Sequence, residues 1–172
     1  QVLKNYMSEV QSKKMLYTSD TFAAGLGNEL IRLKYAEIIP QLAPGLDYWT
    51  VNDAFRLKFE FWNTLNDVEL NVSIHLYAIT GECIFNIGNK AQKFNEGIVS
   101  TQVEIPGNFL NDGSYFLSIM VVKNSSIVLV NFDELFEFEI ADYREDTTWY
   151  GKWPGYVRPN FPILMKQETS EL

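Results

Sequence analysis

Val68-Glu69-Leu70-Asn71-Val72-Ser73-Ile74-His75-Leu76-Tyr77 decides the fold class. Apolar side chains fall at 68, 70, 72, 74 and 76, and every residue between them is polar or amphipathic. A period of two over this length specifies a strand with one face in a core and one toward solvent. The same period precedes it, where Phe55, Leu57, Phe59 and Phe61 alternate with Arg56, Lys58, Glu60 and Trp62. It follows in Tyr115, Leu117, Ile119 and Val121, which alternate with Phe116, Ser118 and Met120.

Weaker strands fill the intervals. Ile31, Leu33 and Tyr35 alternate with Arg32 and Lys34. Cys83–Ile87 is a short strand after the Thr80-Gly81-Glu82 turn. Gly97–Ile105 turns Val99, Thr101, Val103 and Ile105 inward and stops at Pro106-Gly107. Phe136, Phe138 and Ile140 mark a last strand, with Glu137 and Glu139 outward. Turn signals separate these runs and no helical period intervenes, so the pattern predicts an all-β, antiparallel β-sandwich rather than a parallel α/β sheet. The predicted interior holds Phe59, Phe61, Leu70, Val72, Ile74, Tyr115, Leu117 and Phe138.

The ends read differently. Over residues 1–17, Val2, Leu3, Tyr6 and Val10 form a thin apolar stripe compatible with a helix, followed by a loop composition to residue 27. Residues 1–27 are expected to be a linker or the end of a preceding domain, and residues 28–143 the sandwich. Residues 144–172 form a C-terminal tail. Its run Trp149-Tyr150-Gly151-Lys152-Trp153-Pro154-Gly155-Tyr156 is too aromatic to hang in water and is expected to pack on the sandwich or on a partner. Disorder is expected from about Lys166.

Composition narrows the partners. Of the 172 residues, 14 are basic and 22 acidic, a formal charge of -8. Nucleic acid and anionic membrane surfaces need a basic footprint and are disfavoured. Cys83 is the one cysteine, which excludes an intrachain disulfide and a cysteine metal site. His75 is the one histidine, on a strand with no nucleophile motif beside it. Gly25-Leu26-Gly27 lacks the rest of a phosphate loop. No catalytic residues, metal or cofactor are expected. Glu60 with Glu69 would be a carboxylate pair only if their strands lay together; otherwise both sit on solvated faces.

The outward faces carry the remaining signal. Asn71, Ser73, His75, Tyr77, Phe116 and Ser118 all point outward by parity. Flat aromatic rings suit the C–H face of a sugar, and amide or hydroxyl side chains suit its hydroxyls. Arg56, Lys58, Glu60 and Trp62 form a more charged alternative surface, better suited to an anionic group. The plain alternative is that these aromatics pack under loops or the tail.

Four segments resemble, in order, a known family. Phe55–Asn63 is similar to the early core strand of C-terminal domains of Wzt-type ABC-transporter ATPase subunits. So are Leu70–Tyr77 with Gly81–Asn86, the Ile105–Tyr115 loop into the next strand, and the Trp149–Gly155 tail. The likeness spans about residues 28–160. It implies an immunoglobulin-like sandwich fused behind a nucleotide-binding domain, with Val2–Tyr6 resembling the helix that ends the ATPase core. It also implies a non-catalytic module that binds the end of an O-antigen or related polysaccharide for export. The implied partners are that polysaccharide and the ATPase and membrane subunits of the transporter, with two copies of the chain per assembly. The implied place is the cytoplasmic face of the inner membrane, without insertion into it. A module that dimerises the ATPase subunits and binds no sugar is the other function compatible with this reading.

Overall fold

The computed structural model describes residues 15–145 and 147–168. Among them lie nine strands in two sheets, and every strand pairing is antiparallel. The first sheet has the order β1 (Leu16–Thr18), β2 (Ile31–Pro40), β3 (Phe55–Asn63), β7 (Gly97–Ile105). The second has the order β5 (Cys83–Gly88), β4 (Val68–Ala78), β8 (Gly113–Lys123), β9 (Ile127–Ile140), with β6 (Gln92–Phe94) also pairing with β4.

Alternation explains the layering. On β4, Val68, Leu70, Val72, Ile74, Leu76 and Ala78 are buried while the residues between them are exposed or half-buried. On β3, Phe55, Leu57, Phe59, Phe61 and Asn63 are buried in the same rhythm. The two inner faces supply one continuous core, and all eight expected interior residues lie in it. Each fully buried apolar side chain of this kind stabilises the fold by about 1.5–3 kcal/mol. Asn63, also on the inner row, is satisfied by donating to the carbonyls of Leu65 and Asn95 and accepting from Leu65 N–H.

At the opposite end the loop between β2 and β3 folds inward. Trp49 stacks on Phe138 (centroids 4.6 Å apart) and meets Phe55 edge-on. Asp53 holds the loop by accepting from Thr50 N and Oγ1, each at 2.8 Å. Gly107 lies so close that a Cβ there would sit 2.0 Å from the Asn52 carbonyl, so the turn after Pro106 requires glycine.

Two expectations at the ends are corrected. Residues 16 and 17 are strand rather than helix, because Leu16–Thr18 pairs with Tyr35–Glu37 and covers the edge that β2 otherwise leaves open. The 19–27 loop is likewise bonded to the first sheet: Arg32 donates to the carbonyls of Gly25 and Ala23, and Leu26 N–H to Tyr17. The sandwich thus begins at Leu16 rather than at residue 28. The expected apolar stripe at Val2, Leu3, Tyr6 and Val10 lies outside the described residues.

The C-terminal segment docks on the end of the sandwich as a strap. Buried Asn111 organises it, donating from Nδ2 to the carbonyls of Trp153 (2.8 Å) and Gly155 (2.7 Å) and from its backbone N–H to Tyr156 (2.9 Å). Tyr115 donates its hydroxyl to the Asn111 carbonyl at 2.7 Å. Burial and the nearby Asp112 charge push that phenol up to about 12, so it stays a donor. Arg144 donates to the carbonyls of Trp149 and Gly151, and Arg158 N–H to Phe109. Asp142 accepts from both guanidiniums, Arg144 at 2.7 Å and Arg158 at 2.9 Å.

Two outcomes follow from this packing. Phe59 is fully buried, and Phe59→Ala should lower unfolding free energy by about 3–5 kcal/mol in a urea titration; a loss under 1 kcal/mol would place Phe59 outside the core. Burial raises the Asp142 carboxyl, but the hydrogen bonds and charges of Arg158 and Arg144 outweigh it and leave the group below its ordinary value. A depressed folded-state pKa gives stability that is present above the unfolded value and lost as pH falls through the folded one. The urea midpoint should therefore drop on acidification below about pH 4, and Asp142→Asn should flatten that drop. An unchanged acid limb in Asp142→Asn would remove the pair from the account.

Candidate functional site

The outward face of the second sheet is built by β4, β5 and β8. Tyr77 and Phe116 are cross-strand partners, and their rings stack with centroids 5.1 Å apart at 15°. His75 meets Tyr77 edge-on at 6.0 Å. One pair toward the other end, Ser73 sits opposite Met120 on β8 and Gly88 on β5. Ser73 donates its hydroxyl to Asn86 Oδ1 at 2.7 Å, which leaves its oxygen to accept from His75 Nε2–H at 3.3 Å. In a neutral imidazole so bonded, His75 Nδ1 is an acceptor. That atom and Asn71 Oδ1 are buried and have no hydrogen-bond partner among the described residues. Buried acceptors without partners are costly and call for a donor. Burial above all, then the neighbouring Cys83 and Asp133 side chains, push the Tyr77 phenol up, so it too keeps its proton.

The structure brings five of the six expected site residues to this surface: Asn71, Ser73, His75, Tyr77 and Phe116 are half-buried, with their side chains on one face. Ser118 is the correction. Its parity is outward and it pairs with His75, yet it is fully buried. β9 carries extra residues between Phe132 and Phe136 relative to Leu117 and Ile119 of β8, and this bulge folds over the Ser118 side chain. Ser118 Oγ donates to Asp133 at 2.9 Å and accepts from Glu134 N–H at 3.0 Å. It thereby supports Glu134 at φ 45°, an uncommon conformation for a residue with a Cβ. Ser118 holds the bulge and is not open to a ligand. Asn86, on β5, was missed; only the pairing of β5 with β4 puts it beside His75.

The alternative surface on the first sheet is occupied by its own contacts. Phe22 of the 19–27 loop lies edge-on against Trp62 at 6.2 Å, and Arg32 sits over the Phe22 ring. A Cβ on Gly25 would touch the Trp62 ring at 3.2 Å, so the loop backbone covers the indole closely. Arg56 pairs with Glu104 at 3.3 Å, and Lys34 with Glu60 at 3.1 Å. Tyr35 donates to Glu37, and that bond, then burial, pushes its phenol up to about 12. Arg56 and Lys34 here are matched by carboxylates, and the large aromatic is covered.

Two further features bear on chemistry. Glu60 and Glu69 lie on the outer faces of opposite sheets, since β3 and β4 do not pair, so they form no facing carboxylate pair. A crevice of about 340 Å³ opens between the sheets where β5 gives way to β6, with Phe61, Val72, Ile87 and Val99 as walls and Asn89 and Gln92 among its polar groups. It was not foreseen; the break at Gly88-Asn89-Lys90 and the polar Thr101 on the inner row of β7 were its only signs. Among the described residues no three of His, Cys, Asp and Glu cluster as a metal would require. No helix of the described residues is long and apolar enough to cross a membrane.

No family model matches the sequence, and no curated protein matches it. Solved structures do match. The C-terminal domain of Wzt superposes with a TM-score of 0.64 over 92% of this chain and 95% of that one, at 11% sequence identity. β-Glucosidase 3B from Thermotoga neapolitana, in complex with glycerol, gives a TM-score of 0.33 over 62% of this chain and 16% of that one, at 13% identity. At that level the second likeness carries no argument. The first spans nearly the whole of both chains, and the chain accordingly has the all-β sandwich fold of the C-terminal domain of Wzt.

Proposed function

We propose that this chain is a non-catalytic carbohydrate-recognition module. It binds an O-antigen-type polysaccharide, at or near its end, for export by an ABC transporter. The observation that carries the reading is the outward patch of β4, β5 and β8. There a stacked aromatic pair lies beside a Ser73–His75–Asn86 hydrogen-bond network, with two acceptors left unpartnered. The rings offer apolar area to a pyranose, and the polar side chains of Ser73, His75 and Asn86 beside them suit its hydroxyls. The strand order, with β4 between β5 and β8 in one sheet and β3 between β2 and β7 in the other, agrees with an immunoglobulin-like layout. In this reading the chain works with the ATPase and membrane subunits at the cytoplasmic side of the inner membrane. It acts as a pair because transporter ATPases do.

One observation favours the second reading, a module that dimerises the transporter subunits and binds no sugar. Phe161, Ile163, Leu164 and Met165 are 78–92% exposed, a run of large apolar side chains that the sandwich does not cover. Burying such a run between two chains removes it from water.

The two readings separate by titration. The chain is titrated calorimetrically with polysaccharide purified from the encoding organism. His75→Ala plus Tyr77→Ala should weaken binding by roughly ten-fold or more with the melting transition kept. Arg56→Ala plus Glu104→Ala, on the opposite sheet, should leave affinity within about two-fold. The reverse order of effects moves the site to the first sheet. No binding by the unaltered chain, with a stable dimer in light scattering, establishes the dimerisation module instead.

A further inference from the structure

Trp149, Tyr150, Trp153 and Tyr156 stay 42–87% exposed although the backbone that carries them is tied down at five carbonyls. Carbonyls of Trp149, Gly151, Trp153, Gly155 and Tyr156 each accept a hydrogen bond from Arg144 or Asn111. The rings are arranged as well as exposed. Trp149 and Trp153 meet at 75° with centroids 5.0 Å apart. Arg144 lies over Trp149 at 4.9 Å and Arg158 over Trp153 at 5.6 Å, so a guanidinium props one side of each indole. Large aromatics kept in water on a rigid frame characterise recognition surfaces, because the ordering cost is met before the ligand arrives.

The surroundings select the ligand. Both guanidiniums are bonded to Asp142, and Lys152 pairs with Asp112 at 3.5 Å, so little net charge is left to draw an anion. Polar groups interleave with the rings: Thr80 Oγ1 lies 3.4 Å from the Tyr156 hydroxyl, and Glu82 bonds Thr80. That alternation of flat apolar ring and hydroxyl partner suits a neutral pyranose more than an aliphatic protein patch. The strap is also continuous with the sheet face. Thr80 follows Tyr77 by three residues, about 10 Å of chain, across the turn that ends β4.

We infer that the strap is a second carbohydrate contact, in which Trp149, Trp153 and Tyr156 hold a neutral stretch of the same polymer whose neighbouring units lie on the Tyr77–Phe116 face. The inference rests on the carbohydrate reading of that face and extends it from one patch to a track that passes over the 79–82 turn. A track of this kind binds long chains better than short ones, because the second contact forms within an already bound molecule.

The test is calorimetric titration with size-fractionated polysaccharide from the encoding organism, in short and long fractions. Trp149→Ala plus Trp153→Ala should bind short fractions within about two-fold of the unaltered chain and lose roughly five- to fifty-fold on long ones. Asn111→Ala keeps every ring and releases the Trp153 and Gly155 carbonyls, and should show the same direction of length-dependent loss with the sandwich still folded by circular dichroism. His75→Ala plus Tyr77→Ala should lose affinity for both fractions. Normal long-chain binding by the tryptophan variant overturns the strap contact and leaves the face intact. So does normal glycan binding with a lost self-association, which makes the strap a protein contact. Failure of the unaltered chain to bind any fraction overturns the face reading and the strap with it.

Discussion

Burial of the two inner faces against one another is the constraint on which the rest depends. Neither sheet is stable alone, since each presents a full row of large apolar side chains: Phe55, Leu57, Phe59 and Phe61 from β3, and Leu70, Val72, Ile74 and Leu76 from β4. Once these rows meet, the period of two fixes the direction of every residue between them. A slip of one residue would put His75, Ser73 and Asn71 in the core at the cost of several unsatisfied polar groups. The outward face of β4 is thus a by-product of core formation. Its residues are placed by strands whose register they do not themselves determine.

The end of the sandwich is held by different means. There the strands run out and polar atoms must be satisfied by specific partners. Asp53 closes the 50–53 turn, Asn63 closes the opposite end, and Asn111 with Tyr115 fastens the C-terminal strap. Asn63 and Asn111 are almost fully buried, and each bonds two carbonyls, so replacement by an apolar residue would orphan acceptors as well as remove donors. The core supplies the bulk of the stability, while these amides and carboxylates decide which way the loops leave it.

The fold was legible wherever a strand was long and regular. Strands β3, β4 and β8, and the inward rows on them, followed from alternation alone, whereas the pairing of β4 with β8 is a matter of layout that alternation does not carry. Three-residue strands such as β1 and β6 show too few positions for a period, and they exist because neighbouring strands offer them an edge. The course of β9 was hidden by its bulges: Asp133 and Glu134 interrupt the apolar pattern that resumes at Phe136. The same bulge explains the misplaced Ser118. Parity gives the side of the sheet on which a side chain emerges, but not whether another strand then folds over it. Trp62 illustrates the same limit on the opposite face, where the outward indole is covered by the 19–27 loop.

On the proposed carbohydrate reading, the geometry of the aromatic pair bears on how a ligand is held. Tyr77 and Phe116 stack closely, so each has given one ring face to the other. Only their outer flanks remain open to a ligand. A surface of this kind holds a polymer by a row of modest contacts rather than by one deep pocket. That in turn makes the spacing of contacts matter more than the strength of any one. Spacing is what a rigid sheet with a pinned strap at its end supplies. The chain invests its buried polar bonds at Asn111, Arg144 and Asp142, where they keep exposed rings at a set position relative to the sheet.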